Sequence, residues 1–380
     1  MVRTDIKADD IFRRKEDILN ALYRAVPCGV GSSEAIKNLS NSDMREVFKN
    51  GAGWAVEHGF GREEDLECTE ERGAMPGASP DPISNRALDR GRSQVGTLGS
   101  GNHFLELDVV DQVFDEKIAR TMGVEPGDVV LQIHCGSRGF GHQVCSDFLK
   151  TMRKATDKYG ISLPDQQLAC APLTSQEGKD YFAAMAAAAN YAWCNRQVIL
   201  SLAVEALEKK LDASRDALGI RQIYDVAHNV AKWEEHEVDG QNRRLCVHRK
   251  GATRAFPPGH PEVPEKYQEV GQPVLIPGDM GTASYLLVGS DRAMKETWGS
   301  TCHGAGRVMS RKGAIRQSEG RNIAKEMALK GIAVRSRGKK TLAEEVPEAY
   351  KDVEAVVSVM HESGITRKIA RLKPLAVMKG

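Results

Sequence analysis

Apolar side chains recur at helical spacing over residues 9–26, where Ile11, Phe12, Ile18, Leu19, Leu22, Tyr23 and Val26 line one side of an otherwise charged segment. This predicts an amphipathic helix that Pro27 ends. A second helix is expected near 42–58. Residues 61–92, acidic and then rich in Gly and Pro, read as an irregular loop. From 103 the pattern changes to short runs rich in β-branched residues, HFLELDVV and DVVLQIH, which predict strands. The alanine-rich stretch 175–212 predicts one long helix or two stacked ones. Strands are expected again at RQIYDVAH, PVLIPG and SYLLVG, then helices near 314–330 and 342–362. Sheet and helix mix here without strict alternation, which favours the α+β class, mixed sheets with flanking helices, over a doubly wound sheet. No internal repeat or low-complexity linker divides residues 1–380, so they are expected to form one large domain.

Composition narrows the function classes. The 380 residues are 41% hydrophobic and 28% charged, as in globular proteins, and contain no apolar run of membrane-spanning length. The opening MVRTDIKADD lacks the apolar stretch of a secretory signal, so a cytoplasmic protein without a membrane partner is expected. The eight cysteines form no C-x-x-C pair and are expected to be free thiols. Net charge is +1, which gives no global field for nucleic acid. Charge is uneven, however: residues 301–340 carry eleven basic side chains against Glu319 and Glu326. Such a run is commonly a solvated helix face, yet beside a glycine-rich segment it also suits phosphate chemistry.

Three histidines stand at expected strand ends: His103 in GSGNHFLEL, His134 in VVLQIHCGSRGFGH and His228 in IYDVAHNVAKW. Neutral imidazoles from three elements can converge on one divalent metal, although a histidine taken singly is more often a satisfied structural residue than a ligand. A fourth, His303, opens STCHGAGRVMSR, where Gly304 and Gly306 flank Ala305 and leave the backbone open to a ligand, with Arg307 and Arg311 supplying charge. A neutral imidazole there can attack phosphorus; a glycine turn before a helix starting near Val308 is the plainer reading. No P-loop sequence and no Lys-x-Asp-Gly tetrapeptide occurs. GSRGFGH has the wrong spacing for a dinucleotide fingerprint and reads as a turn into a helix N-terminus.

Taken in order, GTLGSGNHFLEL, IHCGSRGFGH, DVAHN, HRKGATRA, IPGDMGTASYLL, CHGAGRVMSR and the terminal VMKG resemble the RtcB family of RNA-splicing ligases from Met1 to Gly380. The resemblance implies one domain around a metal and nucleotide cleft. It implies a ligase dependent on GTP and Mn(II) that joins RNA 3′-phosphate or 2′,3′-cyclic phosphate ends to 5′-hydroxyl ends, with an archaease-type activator as a partner by analogy. His303 would be the nucleophile that takes up guanylate, and His103, His134 and His228 would be metal ligands. Nucleotide contacts would fall on Asn102, His103, Phe104, Leu105, Glu106, His228 and Asn229. They would continue at Pro277, Gly278, Asp279, Met280 and Ser284, then at His303, Gly304, Ala305, Gly306, Tyr350 and Lys379. Arg138 and Arg311 would contact RNA phosphate. Glu106 offers a carboxylate to the N–H and amino donors of guanine, and Phe104 and Tyr350 offer apolar faces.

One departure widens the reading. The family's Asp-x-x-Cys metal motif, which comes shortly before the stretch resembling VRTDI, is absent from this sequence. Cys135 follows His134, but strand alternation would turn its side chain to the opposite face. A metal-dependent cyclic phosphoesterase using the three histidines, and an impaired protein that only binds RNA, therefore stand beside the ligase.

Overall fold

The computed structural model describes residues 1–33 and 35–380. Its strands are β1 (Val2–Lys7), β2 (Phe104–Val113), β3 (Asp128–His134), β4 (Arg221–Gln222), β5 (Asn229–Val238) and β6 (Gln241–Lys250), then β7 (Ala252–Arg254), β8 (Pro273–Ile276), β9 (Ser284–Gly289), β10 (Ser300–Cys302), β11 (Ala333–Ser336) and β12 (Thr366–Lys379). Seven of them form the main sheet in the order β4-β1-β3-β2-β12-β9-β8, every neighbour antiparallel, and β11 joins β12 in parallel. Two-stranded pairs, β5 with β6 and β7 with β10, complete the strands, and helices flank the sheet. This is the α+β class.

Alternation along the central strands decides what each face holds. Leu105, Leu107, Val129 and Leu131 point into an apolar core with Ile18, Leu19 and Leu22 of the helix Lys15–Ala25 and with Ile199, Leu200 and Ala203 of the helix Gln176–Leu211. Val110 and Val130 pack on the other face with Phe256, Tyr267 and Leu286. At 36 residues the helix Gln176–Leu211 runs about 54 Å at the usual rise. The Ser175 hydroxyl caps it by accepting from Gly178 N–H, and Asp212 in the left-handed region ends it. Fully buried Ala184, Ala186 and Ala187 let neighbouring segments approach closely.

Several elements depart from the sequence pattern. Residues 61–92 hold the helices Glu63–Glu67 and Asn85–Gly91 and a 3-10 turn at Glu70–Gly73. RQIYDVAH keeps strand structure only at Arg221–Gln222; residues 223–228 run irregularly, so His228 precedes a strand rather than ending one. The helix expected at 314–330 is two, Arg311–Gln317 and Ile323–Leu329, and that expected at 342–362 is also interrupted, giving Lys339–Glu344 and Val353–Glu362. All eight cysteines are free, and no described helix is long and apolar enough to cross a membrane.

Candidate active site

Register builds the first wall. Phe104 of β2 pairs with His134 of β3 on one side and with Lys379 of β12 on the other, so the three side chains stand in one row on one face. The next row on that face holds Glu106, paired with Gln132 and Val377. The Lys379 ammonium lies 5.5 Å from the Phe104 ring centre and 3.9 Å from a Glu345 carboxylate oxygen. Burial, and then the neighbouring Asp108 carboxylate, push the Glu106 carboxyl well above the usual range.

Two loops add the remaining imidazoles. His228 comes just before β5 and His303 just after β10. Their rings stack with centres 3.6 Å apart and planes within 6°, and His134 stands 5.3 Å from the first and 5.0 Å from the second. One nitrogen from each of the three lies within 4.8 Å of the others, a spacing that fits one metal ion. His303 Nδ1 is itself buried and has no hydrogen-bond partner among the described residues, so the donor set holds an unsatisfied lone pair or proton. The three also line a cavity of about 70 Å³ with Phe104 and Pro277.

Burial keeps these rings uncharged. Desolvation, then the Lys250 ammonium, lowers His303 to about 4; desolvation, then His303, lowers His228 to about 2; and His134 falls well below its usual value for the same reasons. Neutral imidazoles are what a metal or an electrophilic phosphorus requires.

His103, expected with His134 and His228, stands outside the close cluster: its ring centre is 6.1 Å from that of His134. Its Nδ1 lies 3.3 Å from Arg138 Nη1 and 3.9 Å from Cys135 Sγ. Cys135, one residue past β3, keeps the alternation of the strand and packs with Leu131 in the helical core, on the face away from His134. Its thiol sits in a buried nest between the Leu98 carbonyl and Asn195. Arg138, at φ +54°, also donates to Thr97 Oγ1.

The other expected contacts close around this cluster. Asn102 borders Gly101, where an added side chain would meet Arg311 at 3.6 Å. Leu105 points away, into the helical core. Pro277, Gly278, Asp279 and Met280 form the turn after β8, and Ser284 receives Gly278 N–H. Asp279 serves this turn itself: it accepts from Gly281 N–H at 2.8 Å and from Thr282 Oγ1 at 2.9 Å, while Met280 is buried. Gly304 nears the Pro277 carbonyl, and Gly306 adopts φ +73°. The helix after this loop begins at Arg311 rather than near Val308. Tyr350 donates to Glu345 and accepts from Arg307, whose guanidinium stacks 4.8 Å over the ring, and Arg311 reaches Glu345 at 3.7 Å.

Residues that no motif singled out position the histidines. Arg196, on the long helix, grips both carboxylate oxygens of Asp225 and donates to the Cys135 carbonyl, tying the His134 and His228 loops together. Glu70 accepts from Ala227 N–H at 2.7 Å, next to His228. Lys250, opposite Asn229 at the base of the β5–β6 hairpin, supplies the charge felt by His303. The one sequence clue to Arg196 is a cation amid the apolar YAWCNRQVIL.

The chain matches the family described as tRNA-splicing ligase RtcB over residues 1–380. Relatives carrying that name include those of Archaeoglobus fulgidus, 56% identical, and Thermococcus kodakarensis, 50% identical; each match covers all of this chain and 79% of the relative. The Pyrococcus abyssi relative is 51% identical, and the chain spans 41% of its length.

Proposed function

With the chain belonging to the RtcB family of tRNA-splicing ligases, we propose that it joins RNA ends by a GTP-dependent reaction in which His303 carries guanylate. The observation that carries this reading is the half-buried, neutral His303 facing His228 and His134 beside the glycine loop 304–306. His303 attacks the α-phosphorus of GTP, forming an N–P bond as the bond to pyrophosphate breaks. The guanylyl group then passes to the RNA 3′-phosphate, restoring the free imidazole and forming an anhydride. Attack by the 5′-hydroxyl forms the phosphodiester and releases GMP.

His134 and His228, with His103 behind them, would hold Mn(II), for which imidazole nitrogen is a suitable donor. Bound there, the metal would supply positive charge to offset that on the phosphates. Glu106 would accept from the guanine ring N–H and amino group, donors that restore the ionised form burial disfavours. Phe104 and Tyr350 would flank the base, and Lys379, Arg138 and Arg311 would meet phosphate. Substrates would be RNA ends bearing 3′-phosphate or 2′,3′-cyclic phosphate and 5′-hydroxyl, with an archaease-type activator as a partner and the cytoplasm as the compartment.

The test is mass spectrometry of the intact chain after incubation with GTP and Mn(II). One guanylate adduct is expected, lost in His303→Ala. An adduct that survives in His303→Ala refutes the nucleophile. The three-imidazole cluster also favours a second reading, a metal-dependent cyclic phosphoesterase. It predicts opening of a 2′,3′-cyclic phosphate without GTP and without any adduct.

A further inference from the structure

The basic run at 301–340 is only partly consumed by the site above. Arg307, Arg311 and Arg321 pair with carboxylates, and Arg335 donates to Asn20. Arg337 instead leans over a hollow of about 360 Å³ walled by Tyr23, Pro27, Cys28, Ser32 and Ser33. We infer that this hollow binds a phosphodiester of the RNA strand outside the reaction centre, an assignment that rests on the reading of the chain as an RNA ligase.

The guanidinium is positioned rather than adrift. Its stem lies on Gly29, at φ +100°, where an added side chain would come within 2.5 Å of Arg337 Cδ. Nη1 donates to the Cys28 carbonyl at 3.3 Å, which leaves the other N–H groups of the fork for a ligand. Among the described residues no acidic side chain lines the hollow. Ser32 is only 4% exposed, and its hydroxyl has no partner among the described residues; Ser33 stands beside it. One fixed cation with neutral hydroxyls suits the single charge of a phosphodiester, whereas a free phosphate or nucleotide dianion calls for more positive charge.

Position supports a strand running from the reaction centre. Gly29 N–H donates to the Gly99 carbonyl at 2.7 Å, and Gly99 lies directly beneath the Arg138 guanidinium that reaches His103. The backbone beside the hollow is therefore hydrogen-bonded to the 98–103 loop that carries His103. Beyond Arg337, Lys339 and Lys340 are exposed at the start of the helix Lys339–Glu344, continuing the basic track.

Fluorescence anisotropy with a short 5′-hydroxyl single-stranded RNA across a KCl series tests this, alongside adduct formation without RNA. Arg337→Gln is expected to weaken RNA binding about fivefold and to flatten the plot of log affinity against log salt by ~0.7, the signature of one lost phosphate contact on a single strand. Arg337→Lys should keep the slope, and Ser32→Ala should weaken binding without changing it. Guanylate uptake should be unchanged in all three. If wild type binds RNA and Arg337→Gln matches it in affinity and slope, the inference falls while the ligase reading stands. A raised GTP requirement in Arg337→Gln would place a nucleotide phosphate in the hollow and overturn it too. Wild type that neither binds RNA nor takes up guanylate defeats both.

Discussion

Glu70 offers a quantitative check on how the His228 loop is held. Its side chain is 1% exposed, and it meets Lys232 Nζ at 2.8 Å and Arg254 Nε at 3.4 Å while accepting from Ala227 N–H. Burial alone would raise its pKa; attraction to Lys232 and Arg254 outweighs this and lowers it from 4.5 to about 2. That difference corresponds to about 3 kcal/mol of stability at neutral pH, in line with the roughly 3–5 kcal/mol lost when one partner leaves a buried ion pair. Glu70→Gln preserves shape and removes the charge. With an unfolding entropy of about 2.1 cal/mol/K per residue, 380 residues give ~0.8 kcal/mol/K, so calorimetry at pH 7 should show Tm about 4 °C lower. A folded pKa below the unfolded one stabilises above about 4.5, and this contribution fades as pH falls toward 2. The gap should narrow to ~1.4 kcal/mol by pH 3. A melting point within about 1 °C of wild type at pH 7, or a gap that stays constant on acidification, would show that Glu70 is not held as a charged anchor.

Three other substitutions probe the supports of the site. Asn195→Leu leaves Gly96 and Thr97 N–H and the Gly136 carbonyl without their buried partner and should lower stability by about 3 kcal/mol, read as the urea midpoint. Arg196→Met uncouples Asp225 from the Cys135 carbonyl; guanylate uptake should slow at least about tenfold while far-ultraviolet circular dichroism stays unchanged, and an unchanged rate would count against its positioning role. Gly51→Ala puts a methyl 1.9 Å from the Gly73 carbonyl at φ +52° and should cost about 3 kcal/mol or more, whereas Gly53→Ala, with nothing within 4 Å, should gain up to about 1 kcal/mol; paired thermal melts compare them.

What the sequence made legible follows from where periodicity reports burial. In β2 and β3 apolar residues alternate toward the helical core, and the alanine-rich segment after Ser175 is helical to Leu211, so these elements and the α+β class could be read directly. The β5–β6 hairpin could not. Its inward positions are Val230, Lys232, Glu234 and His236, three of them polar, satisfied by Glu70, Glu71 and Arg249 rather than by apolar neighbours, and a hydropathy pattern is blind to such a face. From the residues alone the site was visible as types of residue; only the resemblance of the ordered motifs grouped them around one cleft.

That limit has a physical origin. His134 meets Phe104 and Lys379 only through the order β3-β2-β12, which pairs residues 275 apart in the chain between Phe104 and Lys379. His228 stacks on His303 because two irregular loops are tethered from outside, by Glu70 at Ala227 and by Arg196 at Asp225. Loops without periodic hydrogen bonds take their shape from such tethers, so the tethers are as necessary to the three-imidazole geometry as the imidazoles themselves. It follows that loss of Arg196 and loss of Glu70 should act on guanylate uptake through the same loop, and the double variant should fall short of the sum of the two single effects in a double-mutant cycle. Strict additivity would mean that the two anchors hold independent parts of the site.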